Sequence, residues 1–330
     1  MMANPVEERI APAEFIPGDL PVVFRGLVRH WPAVTHAERG PDAIADYLTM
    51  LDRGKDAEVM IGPPEIGGRF FYDDALRGVN FTKGRATVSG LIQQLRAAAI
   101  NPGAAALYMG AAPMADSLPA FTADNPPPLE RDDAIPRLWL GNAVTVQTHY
   151  DLSDNLACVV AGQRTFTLFP PEQTANLYVG PLEFTLAGQP VSLVRLEAPD
   201  HARFPRFVEA EREALLVTLG PGDAIYIPPL WWHHVRSHDT LNVLVNYWWR
   251  SARPEAGSPF ECLVHGLLAI RDLPPSQREA WRAIFDHYVF APQADGFEYL
   301  PASARGILGD LTPGTASMMR RFLVGSLTRG

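Results

Sequence analysis

Thr145-Val-Gln-Thr-His149-Tyr-Asp151-Leu-Ser-Asp-Asn155 sits in a run of short apolar segments broken by glycine turns. Residues two apart on a strand project to the same face, so the spacing predicts Thr145, Gln147, His149 and Asp151 on one side and Val144, Val146, Thr148 and Tyr150 on the other. One face then carries an imidazole beside a carboxylate. Further along, Gly220-Pro-Gly-Asp-Ala-Ile-Tyr-Ile-Pro-Pro-Leu-Trp-Trp-His233-His234-Val235 supplies a second histidine source. Neighbouring strand residues point oppositely, so only one of His233 and His234 can join the first pair. Val235 shares a face with His233 and Arg236 with His234, which makes the His233 face the inward one. Two histidines and one carboxylate without a fourth protein ligand are the facial triad of a non-haem Fe(II) site, which leaves coordination positions open. Zinc is the competing metal. His-x-Asp alone is a weak signal, and its pairing with the downstream histidine is what makes it specific.

Outward from these motifs, Arg137–140, 143–152, 156–161, 164–169, 214–219, 223–227, 233–236 and 241–249 read as successive strands separated by Gly-Asn, Gly-Gln, Gly-Pro-Gly-Asp and Ser-His-Asp turns, the pattern of a sandwich or barrel. Ahead of them, Pro21-Val-Val-Phe-Arg-Gly-Leu-Val28 predicts a buried strand, 41–52 a helix, Glu58–Gly62 a strand, Gly67–Tyr72 another, and Thr87 or Ser89 caps a second helix. Residues 113–136 read as a long loop. Helical patterns return at 259–271, 275–289 and 313–327. The expected fold class is mainly β with flanking α, with residues 1–250 as the site-bearing domain (strand-rich core about 137–250) and 251–330 as a helical region.

The paired motifs, His149-Tyr-Asp151 through Asn155, Arg164 and Pro171, then Gly220 through His233-His-Val, resemble the cupin-like JmjC family of oxygenases, to which the asparaginyl hydroxylase of the hypoxia response belongs. The similarity runs over roughly residues 18–250. It implies a double-stranded β-helix (jelly-roll) core, with N-terminal α/β elements and the helical region outside it. It also implies Fe(II) held by His149, Asp151 and His233, with 2-oxoglutarate as co-substrate. In relatives a basic residue at the position of Arg164 holds the far carboxylate; arginine keeps the charge but offers a planar fork where lysine offers a point charge. An exposed arginine after the Gly162-Gln163 turn is the bland alternative. Tyr108 matches a position whose phenol assists that carboxylate, with core packing equally open. A hydroxyl precedes the metal histidine in relatives, and face parity selects Thr145 over Thr148. Asn155 and Asn246 match asparagines near the iron; Asn246 lies in apolar Val243-Leu-Val-Asn-Tyr-Trp-Trp and needs a partner. Trp139, Trp231, Trp232 and Trp248 read as core.

Composition sets the outer bounds. With 47% hydrophobic and 20% charged residues among 330, the chain reads as globular, and no run of about 18 apolar residues occurs. Met-Met-Ala-Asn-Pro-Val-Glu-Glu-Arg lacks a basic stretch followed by an apolar core, so a cytoplasmic protein is expected. A formal net charge of −9 argues against nucleic acid and anionic membranes as partners. Lys55 and Lys83 are the only lysines, so an anion site is an arginine site by default. Cys158 and Cys262 lie among apolar neighbours and read as small core residues. The helical region presents Phe260, Leu263, Leu267, Leu268, Trp281, Ile284, Phe285 and Tyr288, the faces of a homodimer in the resembling family or a cap on the barrel. The resemblance implies a hydroxylase acting on a protein or peptide side chain or on a small molecule. The reading from another class is a metal-binding cupin without oxygenase activity, acting as a sensor or binding module. Gly-x-Ser-x-Gly, P-loop and Gly-x-Gly-x-x-Gly fingerprints are absent.

Overall fold

The computed structural model describes residues 4–9, 18–290 and 297–328. Backbone contacts divide the chain into one unit ending at Ser251 and another beginning at Ala252. In chain order the first unit contains β1 (Asn4–Pro5), β2 (Glu7–Arg9), β3 (Val22–Phe24), α1 (Pro32–Glu38), α2 (Pro41–Leu51), β4 (Ala57–Gly62), β5 (Thr82–Ala86), α3 (Val88–Ala99), β6 (Ala106–Pro113), α4 (Met114–Ser117), α5 (Phe121–Asp124), β7 (Ile135–Gly141), β8 (Thr145–His149), β9 (Asp154–Ala161), β10 (Arg164–Phe169), α6 (Phe207–Glu213), β11 (Leu215–Leu219), β12 (Ala224–Ile227), β13 (Trp232–Ser237) and β14 (Asn242–Trp249).

Two sheets face one another. The smaller has the order β1-β11-β10-β13-β8 and the larger β2-β3-β12-β9-β14-β7-β6-β4-β5. Strands β7 to β14 are shared between them in antiparallel pairs, β7, β9, β12 and β14 in the larger and β8, β10, β11 and β13 in the smaller, with β10 and β11 the one consecutive pair in the same sheet. That is the double-stranded β-helix of a cupin. Strict alternation on the central strands builds both sides at once. On β9, Ala157 and Val159 pack between the sheets with Phe166, Leu168 and Ile225, while Leu156, Cys158 and Val160 join a second core with Trp31, Ile44, Leu48 and Leu91 from the N-terminal helices. A strand buried on both faces reads as a continuous apolar run, which is the texture of Leu156–Ala161.

Several local expectations change. Gly26 adopts φ +68°, so the strand expected through Val28 stops at Phe24 and turns. Gly67 and Gly68 are both left-handed, and the segment after them makes only single bridges, Arg69 to Thr145 and Tyr72 to Val79, instead of a strand. A side chain at Gly68 would bring Cβ to 2.5 Å from the Ala143 carbonyl, so glycine is what lets this loop lie against β8. The loop 113–136 contains the short α4 and α5. Strands β5 and β6 and helix α1 have no counterpart in the expected set. Thr87 caps α3, its side chain accepting from the Gly90 N–H.

The second unit holds α7 (Pro259–Ala269), α8 (Pro275–Phe285) with a π-turn over Asp286–Phe290, and α9 (Pro313–Leu327), capped by Thr312 in a reciprocal box with Thr315. Ala316 alone among its described residues is a buried hydrophobic. Leu263, Leu268, Trp281, Ile284 and Tyr288 are exposed, as are Phe322 and Val324 on α9. Cys262 is exposed here, which overturns its reading as a core residue, whereas Cys158 is buried; neither is in a disulfide.

Candidate metal centre

The β8–β13 pairing sets His149 directly opposite His233. With Asp151 just beyond the end of β8, one ligand atom from each of His149, Asp151 and His233 lies within 4.8 Å of the others. Asp151 Oδ1 is 4.0 Å from His149 Nε2, and Oδ2 is 3.7 Å from His233 Nε2. Each ring is oriented the same way: His149 Nδ1 donates to the Gln147 carbonyl at 2.8 Å and His233 Nδ1 to the Trp231 carbonyl at 3.0 Å. The protonated nitrogen is thereby fixed, and Nε2 presents its lone pair to the centre. Burial, reinforced by the neighbouring His149, pushes His233 down to about 4, which keeps this ring neutral and able to ligate at neutral pH. His234 points to the opposite face, as adjacent strand residues must, and its Nε2 sits 3.4 Å from Glu197 Oε1.

Behind the triad, in a small inner cavity of about 40 Å³, lie Arg164, Tyr108, Asn155, Asn246 and Trp248. Arg164 is not the exposed turn residue of the bland alternative: it is 2% exposed. Its Nε and Nη2 are buried without a hydrogen-bond partner, and no salt bridge reaches it among the described residues. Desolvation depresses its pKa, opposed by the nearby Tyr108 phenol. Tyr108, fully enclosed, is pushed up to about 12 by the same burial and stays a neutral donor. A buried, uncompensated guanidinium is strongly unfavourable unless an anion completes it. The donor set therefore fits Fe(II) at the triad and a small dicarboxylate reaching from it to Arg164.

Asn246 has the partners its apolar strand demanded: it accepts from Trp139 Nε1 at 2.8 Å and donates to Asn155 Oδ1 at 3.2 Å. Trp139 and Trp248 are only partly buried and line the cavities, which corrects their reading as core. Trp231 and Trp232 are core, their indoles bonded to the Asp19 carbonyl and Thr174 hydroxyl.

The face assignment along β8 is also corrected. His233 opposes His149 but Val235 opposes Val146, so Gln147 and Thr148 together face one residue of β13 in a bulge. Alternation breaks there. Val146 lines the inner cavity beside His149, whereas Thr145 lines only a second, outer cavity of about 400 Å³. Gln147 turns toward flanking loops, accepting from Arg69 Nε and donating to the Ser192 and Val194 carbonyls. The outer cavity opens over His149 and Asp151 between Met60, Phe70, Trp139, Trp248 and Leu186, with the Glu58–Lys83 ion pair on its wall. Gln189, from the insertion between β10 and β11, donates to Asp151 Oδ1 at 3.3 Å. Sequence reasoning missed it because the insertion has no periodic pattern. Trp248 was within reach, being two residues from Asn246 on the same face of β14.

A double-stranded β-helix with a His-Asp-His triad and a buried arginine in the same cavity defines a cupin of the facial-triad type. Residues 7–254 match the cupin-like domain family, and the chain belongs to it, within the JmjC group of oxygenases that use Fe(II) and 2-oxoglutarate. Among similar proteins are the Bifunctional peptidase and (3S)-lysyl hydroxylase JMJD7 of Homo sapiens, 27% identical over 259 residues covering 69% of this chain and 77% of that protein. Lysine-specific demethylase 8 of Danio rerio is 29% identical over 245 residues, 72% of this chain and 55% of that one. Lysine-specific demethylase JMJ31 of Arabidopsis thaliana is 39% identical over 114 residues, 34% of this chain and 20% of that protein. The chain thus spans about half or less of the length of two of these relatives.

Proposed function

We propose that this protein hydroxylates a side chain of a protein or peptide, using Fe(II) and 2-oxoglutarate. The observation that carries the reading is Arg164: a buried guanidinium without a counter-ion among the described residues, in the same cavity as a three-residue cluster able to hold a metal. Bound there, the metal and keto acid supply oxygen activation coupled to oxidative decarboxylation. His149, Asp151 and His233 hold the metal through two neutral imidazoles and one carboxylate. Arg164 and the Tyr108 hydroxyl receive the far carboxylate of the co-substrate, whose keto-acid end reaches the triad. The Asn246–Asn155–Trp139 hydrogen bonds keep polar groups satisfied beside it, and the apolar walls exclude water from the reacting centre. Thr145, facing the outer cavity, belongs to the substrate side.

Two relatives carry lysine in their names as demethylases and another as a lysyl hydroxylase; a lysine side chain is accordingly the substrate group to test first here. The free cysteines fit a cytoplasmic protein. The exposed apolar side chains of α7, α8 and α9 support a homodimer built on the C-terminal unit. The net charge of −9 supports no nucleic-acid partner. The test is anaerobic titration of the Fe(II) protein with 2-oxoglutarate, then oxygen uptake and succinate release in the presence of lysine peptides. Saturable binding with turnover is expected. Metal binding without any 2-oxoglutarate binding would leave the second reading, a cupin sensor or binding module.

A further inference from the structure

We propose that Gln189 is a positioning residue that makes Asp151 a one-oxygen ligand. Its amide N–H donates to Asp151 Oδ1 at 3.3 Å, the oxygen 4.0 Å from His149 Nε2, while Oδ2 makes the shorter approach to a ligand nitrogen, 3.7 Å from His233 Nε2. The main chain of Asp151 is held separately, its carbonyl accepting from the Leu230 N–H at 2.8 Å, so Gln189 acts on the side chain and not on the backbone. The choice between one and two oxygens matters chemically. A facial triad works because it leaves room for both arms of the keto acid and for oxygen, and a carboxylate that binds through both oxygens closes one of those positions. A donor on Oδ1 makes that second bond unfavourable, since the hydrogen bond to an ionised oxygen would have to be given up.

The donor is also placed where substrate can influence it. Gln189 follows Gly188, whose φ of +104° turns the chain, and precedes the Val191–His149 bridge and the Ser192 N–H to Thr148 carbonyl bond at 2.8 Å, which tie the segment to β8. Thr185, Leu186 and Gln189 all line the outer cavity. A substrate seated there touches the segment that sets the metal carboxylate.

The inference rests on the Fe(II) and 2-oxoglutarate reading of the site, and the experiment separates the two. Gln189→Met keeps length and volume and removes the donor; Gln189→Ala is the second variant. Each metal-free protein is melted, then titrated with Fe(II) and 2-oxoglutarate without oxygen, following the visible charge-transfer absorption. We expect wild-type melting for both, a roughly 10-fold weaker 2-oxoglutarate affinity and an altered band. Packing alone would be restored by methionine, so a Gln189→Met protein with wild-type affinity and band overturns the proposal. Absence of any band in the wild-type protein would instead overturn the oxygenase reading.

Discussion

Up to Ser251 the chain encloses its own apolar side chains in cores on both faces of its larger sheet, while from Ala252 onward three helices leave leucine, tryptophan and phenylalanine in water. Both regions carry periodic apolar residues in sequence. The difference is that β7 to β14 close on one another, whereas each helix of the second unit offers an apolar stripe that its own neighbours do not cover. A self-sufficient fold can place an arginine in a buried position; in the second unit Ala316 is the only buried hydrophobic among the described residues, and its apolar stripes stay exposed.

Loss of the triad should give the largest effect and leave the second unit untouched. His149→Ala or Asp151→Ala is expected to remove stoichiometric Fe(II) and to lower turnover by about 1000-fold or more, measured by metal analysis and succinate release, with oligomeric state unchanged. Retained stoichiometric iron in both variants would refute the ligand assignment. Next comes Arg164→Met. It should weaken 2-oxoglutarate binding roughly 10- to 100-fold, the worth of hydrogen bonds to a charged group, and yet raise the melting temperature of the ligand-free protein, because an unpaired buried cation is gone. A fall in melting temperature would mean that Arg164 has a stabilising partner in the free protein.

The comparison can be broken from the other side. Leu268→Glu with Phe322→Glu should halve the mass seen by light scattering and leave iron and 2-oxoglutarate binding within about twofold, if the helical faces serve only association. A wild-type protein that is monomeric at all concentrations would remove the homodimer. The smallest effect concerns Glu197, held down at about 2 by His234 with help from Arg69. Its folded value lies below the ordinary 4.5, so its contribution is present above pH 4.5 and is lost as pH falls toward 2. Glu197→Gln should cost about 1–2 kcal/mol at pH 7 after allowance for solvent screening, and the difference from wild type should shrink in denaturation curves taken between pH 4 and 3.

What was legible beforehand follows from which forces are local. Strand alternation exposed the barrel and correctly separated His233 from His234, since period-two geometry needs no tertiary information. The same rule failed between Val146 and His149, where a bulge inserted a residue; Val146 joins the inner cavity and Thr145 lines the outer one, together with His149 and Asp151. Arg164 was readable as a position, through resemblance, but its lack of an acidic partner among the described residues appears only once β10 is folded against β13. Gln189 and the Glu197–His234 contact depend on an insertion that crosses β8, and no short-range pattern encodes such a crossing.

That crossing has a bearing on solubility. β8 ends the smaller sheet, and a bare edge strand offers its peptide groups to any passing chain. The bridge from His149 to Val191 and the bond from Ser192 to Thr148 occupy part of that edge. The segment that brings Gln189 to Asp151 is therefore also a guard against edge-to-edge aggregation, and shortening it would expose the metal-bearing strand as a template for fibrous pairing.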